Sequence, residues 1–377
     1  VFISTSRSDF GLIKNSYLKF KNSKKFITQL ICYGSIISSD YGYSKKELKN
    51  FDDSIKYFNF KTFNSNIEEI IKNNQQNTYK LIIYLKKIKP DLVFLLGDRI
   101  EALIIAISIK ALNIPIAHMH GGESTEAVYD DYWRHSITKL SNLHFVSNKS
   151  YERNLIKMGE AKNKIFCVGA YGIENINKKN KFKKNFFEKE MGFQFNKYNF
   201  LLTFHSLTFD VEKNKEYFLN IISSVLKIDD SNVFISHPGY DIGSKDILNL
   251  IRSKKYKNNK RIFIFSNLGN EKYLSLANLC DVIIGNSSSG IIEIPYLEKP
   301  VLNIGDRQRG RIKSNLVYDC NYQQKSIYNN LKKIILLKEL KKLPKNNKVY
   351  GDGNSSMKTF KIIDKLNFNS FKSKTFF

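Results

Sequence analysis

Apolar runs of strand length alternate with helix-length amphipathic segments from one end of the chain to the other. In the first half the runs are VFIST, FITQLICYG, DLVFLLG, IPIAHMH, LHFVSN and KIFCVG. In the second half they are NFLLTFH, NVFISHP, RIFIFSN, DVIIGNS and PVLNIG. Between them, apolar positions recur at helical spacing. Over 99–112 these are Ile100, Leu103, Ile104, Ile107 and Leu112, and helices are also expected over 148–158, 213–227, 245–254, 271–279 and 289–297. Near-continuous apolar strands separated by helices belong to parallel sheets covered on both faces. Two such sets in one chain imply two Rossmann-like α/β domains. The Lys/Asn-rich stretch after CVGAYGIENI marks their joint, near 169–180. The expected division is 1–170 for the first domain and 171–350 for the second. Residues 351–377, with the helical segment MKTFKIIDKLNF, are expected to pack back on the first.

Length and composition agree with that division. A chain of 377 residues with 42% hydrophobic and 13% aromatic content can build two cores. No apolar run approaches the roughly 18 residues that a membrane span requires. The first residues lack the basic-then-apolar layout of a signal peptide. Cys32, Cys167, Cys280 and Cys320 are scattered without CxxC spacing. That pattern suits a reduced, cytoplasmic protein without a disulfide framework or a cysteine zinc site. The net charge of +26 raises the question of nucleic acid. Stretches such as RSKKYKNNKR place the lysines in solvated loops and on outer helix faces, with no recognition-helix or RNP-like pattern. The charge therefore reads as a compositional bias that helps attract an anionic small molecule. Neither nucleic acid nor membrane is the expected partner. A non-catalytic nucleic-acid binder is the alternative, and it requires a one-sided basic surface and salt-sensitive binding.

Open α/β sheets bind ligands beyond the carboxyl ends of their strands, so the residues that follow each strand carry the chemistry. After the first strand come Ser4-Thr5-Ser6-Arg7-Ser8-Asp9, and after DLVFLLG come Asp98-Arg99 and then Glu101. After IPIAHMH come Gly121-Gly122-Glu123, then Asp130-Asp131 and Arg134-His135. In the second half, His205 follows NFLLTF, Asn286-Ser287-Ser288-Ser289-Gly290 follows DVIIG, and Asp306-Arg307 follows PVLNIG. Small residues ahead of a helix let backbone N–H groups approach a diphosphate, although Ser287 also suits an ordinary helix cap. Glu293, expected one turn into the 289–297 helix, can reach a ribose diol. Arg307, with Arg309 and Arg311 beside it, suits a phosphate clamp. Neither GxGxxG nor GxxxxGK[ST] occurs, which argues against a nicotinamide dehydrogenase or a P-loop ATPase.

The stretch AHMHGGESTE poses the sharpest question. His118 and His120 fall on one face if both lie in a strand, which would suit a strand-borne metal site with Asp98 or Asp130 as a further ligand. A metal-dependent hydrolase leaves the Gly-Gly-Glu turn and the diphosphate pocket unexplained, so no metal is expected. Clustered carboxylates and imidazoles otherwise allow proton transfer near neutrality, with Asp98, Glu123, Asp130, Asp131 and His120 as candidates. Asp98 also has a bland reading, as cap of the 99–112 helix. His144 reads as a packed strand residue and His237 as a loop contact. The glycine pair is expected to let the chain pass close to a ligand.

TSRSDFG, LLGDRIE, HMHGGESTEAVYDDYWRHSITKLSNLHF, GNSSSGIIE and NIGDRQRGR together resemble the hydrolysing UDP-N-acetylglucosamine 2-epimerases of sialic-acid-type biosynthesis. The likeness runs in order along nearly the whole chain. It implies a GT-B-like fold, with two Rossmann-like domains whose parallel sheets face a central cleft. It also implies conversion of UDP-GlcNAc and water into N-acetylmannosamine and UDP, without a cofactor. Asp98 and Asp130 become the acid/base pair, with His120 and Glu123 near the same centre and His205 at the departing diphosphate. Arg7, Asp9, Arg134, Ser287, Ser288, Ser289, Gly290, Glu293 and Arg307 become contacts of the UDP-sugar. The same chemistry on UDP-2,4-diacetamido-2,4,6-trideoxy-glucose, a non-hydrolysing 2-epimerase and a GT-B glycosyltransferase remain open. A homodimer or homotetramer is implied.

Overall fold

The computed structural model describes residues 1–37, 45–60, 66–126, 128–176 and 182–374. Part of the joint expected near 169–180 therefore lies outside the described residues. By contacts the chain divides into two units. One holds Val1–Glu123, Tyr129–Glu174 and Tyr350–Phe377, and the other holds Ser124–Val128 and Asn175–Val349.

The first unit opens with β1 (Phe2–Ser4), α1 (Arg7–Lys21), β2 (Leu30–Gly34), α2 (Lys45–Phe51) and β3 (Lys56–Asn59). It continues with α3 (Ile67–Ile88), β4 (Val93–Leu96), α4 (Ile100–Ala111), β5 (Ile116–Met119) and α5 (Asp130–Leu140). Next come β6 (Leu143–Val146), α6 (Lys149–Lys157) and β7 (Ile165–Cys167). The strands form one sheet in the order β3-β2-β1-β4-β5-β6-β7, and every pairing is parallel. The strand order reverses between β1 and β4, which opens a crevice at their carboxyl ends. Phe2 of β1 stacks on Phe94 of β4 with centroids 4.3 Å apart, within the core beneath that crevice.

The second unit carries α7 (Lys184–Met191), β8 (Tyr198–Thr203), α8 (Asn214–Leu226), β9 (Ser231–Ser236), α9 (Ser244–Ile251) and α10 (Lys254–Lys257). It continues through β10 (Ile262–Phe265), α11 (Gly269–Leu279), β11 (Val282–Gly285) and α12 (Ser288–Ile292). It ends with β12 (Val301–Ile304), β13 (Val317–Cys320) and α13 (Gln324–Glu339). Its sheet runs β10-β9-β8-β11-β12-β13, again all parallel, with its switch point between β8 and β11. Along β8, Phe200 and Leu202 enter one core cluster and Leu201 the other. Both faces of this sheet are thus covered, which is why its strands read as unbroken apolar runs.

The last helix, α14 (Ser355–Lys365), belongs to the first unit and lies on α1. Ser16 and Ser356 hydrogen-bond at 2.8 Å, and Phe360 packs on Phe20. Three details depart from the sequence reading. The edge strands β3 and β13 carry too few consecutive apolar residues to stand out. The run FITQLICYG becomes a strand only from Leu30, and Ile27 is fully exposed. The helix expected over 289–297 stops after five residues and gives way to a 3-10 turn at Ile294–Leu297. Pro295 lacks an N–H to continue the α ladder and disfavours α geometry in the residue before it.

Candidate active site

In the first unit the strand-end groups converge at the switch point. Ser6 caps α1 by accepting from the Asp9 N–H at 3.2 Å, while Thr5 Oγ1 donates to Asp9 Oδ2 at 2.6 Å. Arg7, the first residue of α1, is half-buried. Burial pushes the Asp9 carboxyl up, against the pull of Arg99, and Asp98 raises it further. Asp9, Asp98 and Arg99 therefore share one field where β1 and β4 end.

The centre of that field is Arg134. Its side chain is fully buried on α5, and its guanidinium donates to Asp98, to Asp131 and, at 3.0 Å, to the Glu123 carbonyl. Burial opposes its charge, but Asp98, Glu123, Asp131 and Asp130 together hold it protonated, above even the ordinary arginine range. Two carboxylates on one guanidinium make short, charge-assisted contacts in fixed directions. Asp98 does not cap the following helix. Arg99 stands at that position and makes no side-chain cap bond. Arg134 is an internal counter-ion rather than a surface-facing group. Asp130 opens α5 one residue before Asp131, so the two acids share the first turn of that helix.

The two histidines of HMH part company. β5 ends at Met119, and His120 adopts a left-handed φ of 66°, so the shared strand face expected for 118 and 120 does not form. His118 Nε2 faces the Gly97 carbonyl at 2.9 Å and therefore carries the ring proton, while Nδ1 accepts from Thr138 Oγ1 at 3.1 Å. Both nitrogens are committed to the protein, so this ring is no metal ligand. His120 Nδ1 meets Glu123 Oε1 at 2.7 Å, and Ser147 Oγ donates to the same oxygen at 2.8 Å. The Tyr171 N–H points at Nε2 from 3.5 Å. An ionised Glu123 only accepts, so the His120 proton sits on Nδ1. Gly122 is required by packing: a Cβ there, at φ 79°, would sit 2.6 Å from the Tyr151 carbonyl oxygen of α6.

This burial has a consequence in acid. Burial pushes the His118 imidazole down from 6.5 to about 3, and pushes His144 down as well, against the carboxylate of Glu160. Between those two values the unfolded chain binds a proton that folded His118 refuses, so stability falls as pH falls. We expect His118 alone to lower the unfolding free energy by about 2 kcal/mol between about pH 7 and about pH 5. Urea titrations at both pH values check this, and His118→Asn should flatten the dependence. A wild-type stability unchanged over that window would contradict the buried neutral ring.

In the second unit the β8/β11 switch point is organised by Asn286, a residue to which the sequence reading gave no role of its own. The side chain of Asn286, fully buried, accepts from the His205 N–H at 2.7 Å and donates to the His205 carbonyl at 2.8 Å. Gln308 Nε2 donates to the Asn286 carbonyl at 2.9 Å, and Arg307 Nη1 reaches it at 3.4 Å. His205 Nδ1 accepts from the Gly239 N–H at 3.0 Å, which leaves the ring proton on Nε2. Gly285 makes this closeness possible: at φ 132°, an added Cβ would fall 1.9 Å from the Thr203 carbonyl oxygen. Only the asparagine after the strand glycine hints at the clamp in the sequence. Its partner lies 81 residues away.

Ser287 caps α12 by accepting from the Ser289 N–H at 3.4 Å, and Ser288 and Ser289 are half-buried beside it. Gly290 is buried against Val301 of β12. Glu293 is buried and closes α12 at its C-terminus, where the sequence reading set it one turn inside a longer helix. Arg307 is half-buried, 3.9 Å from Asp241, and Arg309 pairs with Glu126 of the same unit.

Two all-parallel, doubly wound sheets with acids, imidazoles and an arginine at one switch point and a Ser/Gly turn at the other define an α/β protein of two Rossmann-like units. A family model described as UDP-N-acetylglucosamine 2-epimerase matches residues 18–364, and the chain belongs to that family. It is 31% identical to a Campylobacter jejuni protein named GDP/UDP-N,N'-diacetylbacillosamine 2-epimerase (hydrolyzing), over 84% of this chain and 83% of that one. It is 29% identical to the UDP-N,N'-diacetylbacillosamine 2-epimerase (hydrolyzing) of Legionella pneumophila, over 98% and 96%. Among solved structures it is similar in fold to the UDP-GlcNAc 2-epimerase of Neisseria meningitidis bound to UDP-GlcNAc. The TM-score is 0.76 at 18% identity, over 97% and 99% of the two chains.

Proposed function

We propose that the protein is a hydrolysing 2-epimerase that converts a UDP-2-acetamido sugar and water into UDP and the free sugar inverted at C2. The observation that carries this reading is the buried Arg134, which aims Asp98 and Asp131 from one guanidinium beside the His120–Glu123 pair. Epimerisation at C2 needs a base fixed in position, and a carboxylate held in direction by a buried arginine supplies one. One carboxylate, Asp98 in our assignment, takes the C2 proton while the C1–O bond breaks and UDP departs. The His205 Nε2–H suits donation to the departing diphosphate. The resulting 2-acetamidoglucal then takes water, with oxygen at C1 and a proton delivered to the opposite face of C2. Asp130 is our candidate for that donor. Ser287, Ser288, Glu293 and Arg307 of the second unit hold the UDP portion in this reading.

For the sugar, the names of the Campylobacter and Legionella relatives support UDP-2,4-diacetamido-2,4,6-trideoxy-glucose, which is UDP-N,N'-diacetylbacillosamine. UDP-GlcNAc is the second reading, supported by a relative from Neisseria meningitidis, 28% identical over 86% of this chain, that bears its name. Incubation with each sugar in deuterated water tests both. Free UDP with a mannosamine-type sugar deuterated at C2 is the expected result, with faster turnover of the diacetamido substrate. Recovery of sugar still linked to UDP would establish a non-hydrolysing epimerase instead.

A further inference from the structure

The chain after α14 returns to the far end of the helix that carries the acids of the site. A 3-10 turn at Phe368–Phe371 buries Phe371 in the core of the first unit, and the Asn142 side chain donates to the Phe371 carbonyl at 2.7 Å. Further on, Lys374 turns inward, with 8% of its side chain exposed. A buried ammonium is tolerated only when its donors are met. Here three acceptors meet three donors: Glu160 Oε2 at 2.6 Å, the Ser141 carbonyl at 2.9 Å and the Thr138 carbonyl at 3.1 Å. Glu160 also accepts from His144 Nε2 at 2.9 Å and pairs with Lys139 at 3.1 Å. One carboxylate thus faces two ammonium groups, and the carbonyl end of α5 offsets the surplus positive charge.

Both carbonyls belong to the last turn and cap of α5, whose first turn holds Asp130 and Asp131 and whose buried face holds Arg134. A helix of this length is a stiff rod of about 16 Å, so a grip at one end sets the axial position of the other. A second connection starts at the same residue. Thr138 Oγ1 donates to His118 Nδ1, and His118 Nε2 donates to the carbonyl of Gly97, next to Asp98. Lys374 is thereby connected to both candidate acid/base groups, to Asp130 along α5 and to Asp98 through Thr138, His118 and Gly97. We propose that Lys374 is a positioning residue, which fixes the two carboxylates by holding the carbonyls of Thr138 and Ser141. This rests on the assignment of Asp98 and Asp130 in the proposed reaction. Asn142 stiffens the same junction, since its Oδ1 accepts from the Ile116 N–H at the start of β5 at 3.2 Å. A displacement of about 1 Å in a reacting group costs on the order of 10²-fold in rate, so a remote contact is sufficient.

Steady-state rates on both candidate sugars, together with the emission of the chain's single tryptophan, test it. Trp133 stands on α5 next to Arg134, half-buried, and reports the packing of that helix. Lys374→Met should lower kcat roughly 10- to 100-fold with KM and UDP affinity unchanged, and should shift the Trp133 emission. Combining Lys374→Met with Glu160→Gln removes a balanced pair of charges, so this double variant should fold even where the single one does not. The same loss of kcat and the same shift are expected in it. Lys139→Met takes the other ammonium from Glu160 but leaves both carbonyls held, and should turn over at the wild-type rate. Wild-type kcat or unshifted emission in the double variant overturns the proposal. So does a rise in KM without loss of kcat, or an equal loss of rate in Lys139→Met. A wild type that turns over neither sugar refutes the reaction instead, and the emission of the double variant then decides the positioning alone.

Discussion

Arg134→Met should lower the unfolding free energy by about 3–5 kcal/mol and abolish turnover, the largest single-site effect expected in this chain. Methionine matches much of the volume of the arginine stem but leaves the acids of Asp98 and Asp131 facing each other without their counter-ion. It also leaves the Glu123 carbonyl without its donor. Removing one member of a buried ionic group costs far more than the group contributes, because the remaining charges keep their desolvation penalty. Arg134→Lys separates charge from geometry. A single ammonium restores the positive charge but cannot hold both carboxylates in fixed directions. Its stability should recover further than its kcat. Urea denaturation and steady-state rates on the same preparations check both statements. Full stability in Arg134→Met would show that this arginine is not the counter-ion of the site.

Asp98→Asn and Asp130→Asn should each lower kcat by about 10²–10⁴-fold, the range that general acid–base groups supply, and leave UDP affinity unchanged. An amide keeps the shape of each side chain but neither takes nor gives the C2 proton. In Asp98→Asn, Arg134 retains Asp131 and the Glu123 carbonyl. The loss of stability should therefore be smaller than for Arg134→Met. Calorimetric titration with UDP, beside rates on both candidate sugars, separates chemistry from binding. Wild-type kcat in either variant would remove that residue from the mechanism. A loss of UDP affinity equal to the loss of rate would assign it to binding instead.

The alternation of apolar runs and amphipathic segments was sufficient for two parallel sheets, because each strand and helix advertises itself within a few residues. It failed where an element is short or lies at an edge. β3 and β13 have exposed or polar positions that break the run, and Pro295 cuts an otherwise helical pattern. The ends of strands were readable for the same local reason: a polar cluster after an apolar run is visible without knowing its neighbours. That was enough to collect Asp98, His120, Glu123, Arg134, His205 and the GNSSSG turn as candidates.

Side-chain partnerships were not readable, since they join positions far apart in the chain. Whether Asp98 caps a helix or pairs with Arg134, 36 residues away, depends on which strands lie side by side. AHMHGGESTE looks like two matched histidines until β5 ends at Met119 and the backbone turns left-handed at His120. His118 is then consumed by Gly97 and Thr138, and His120 by Glu123. Asn286 gained its part only when the parallel pairing of β8 and β11 brought it to the main chain of His205. Local patterns are written in neighbouring residues: periodicity determined the sheets, the polar clusters after the strands gave the list of reactive groups, and the resemblance of the quoted motifs pointed to the family. Partner, protonation and orientation arise from burial and from contacts across strands, and the tertiary structure alone decided those.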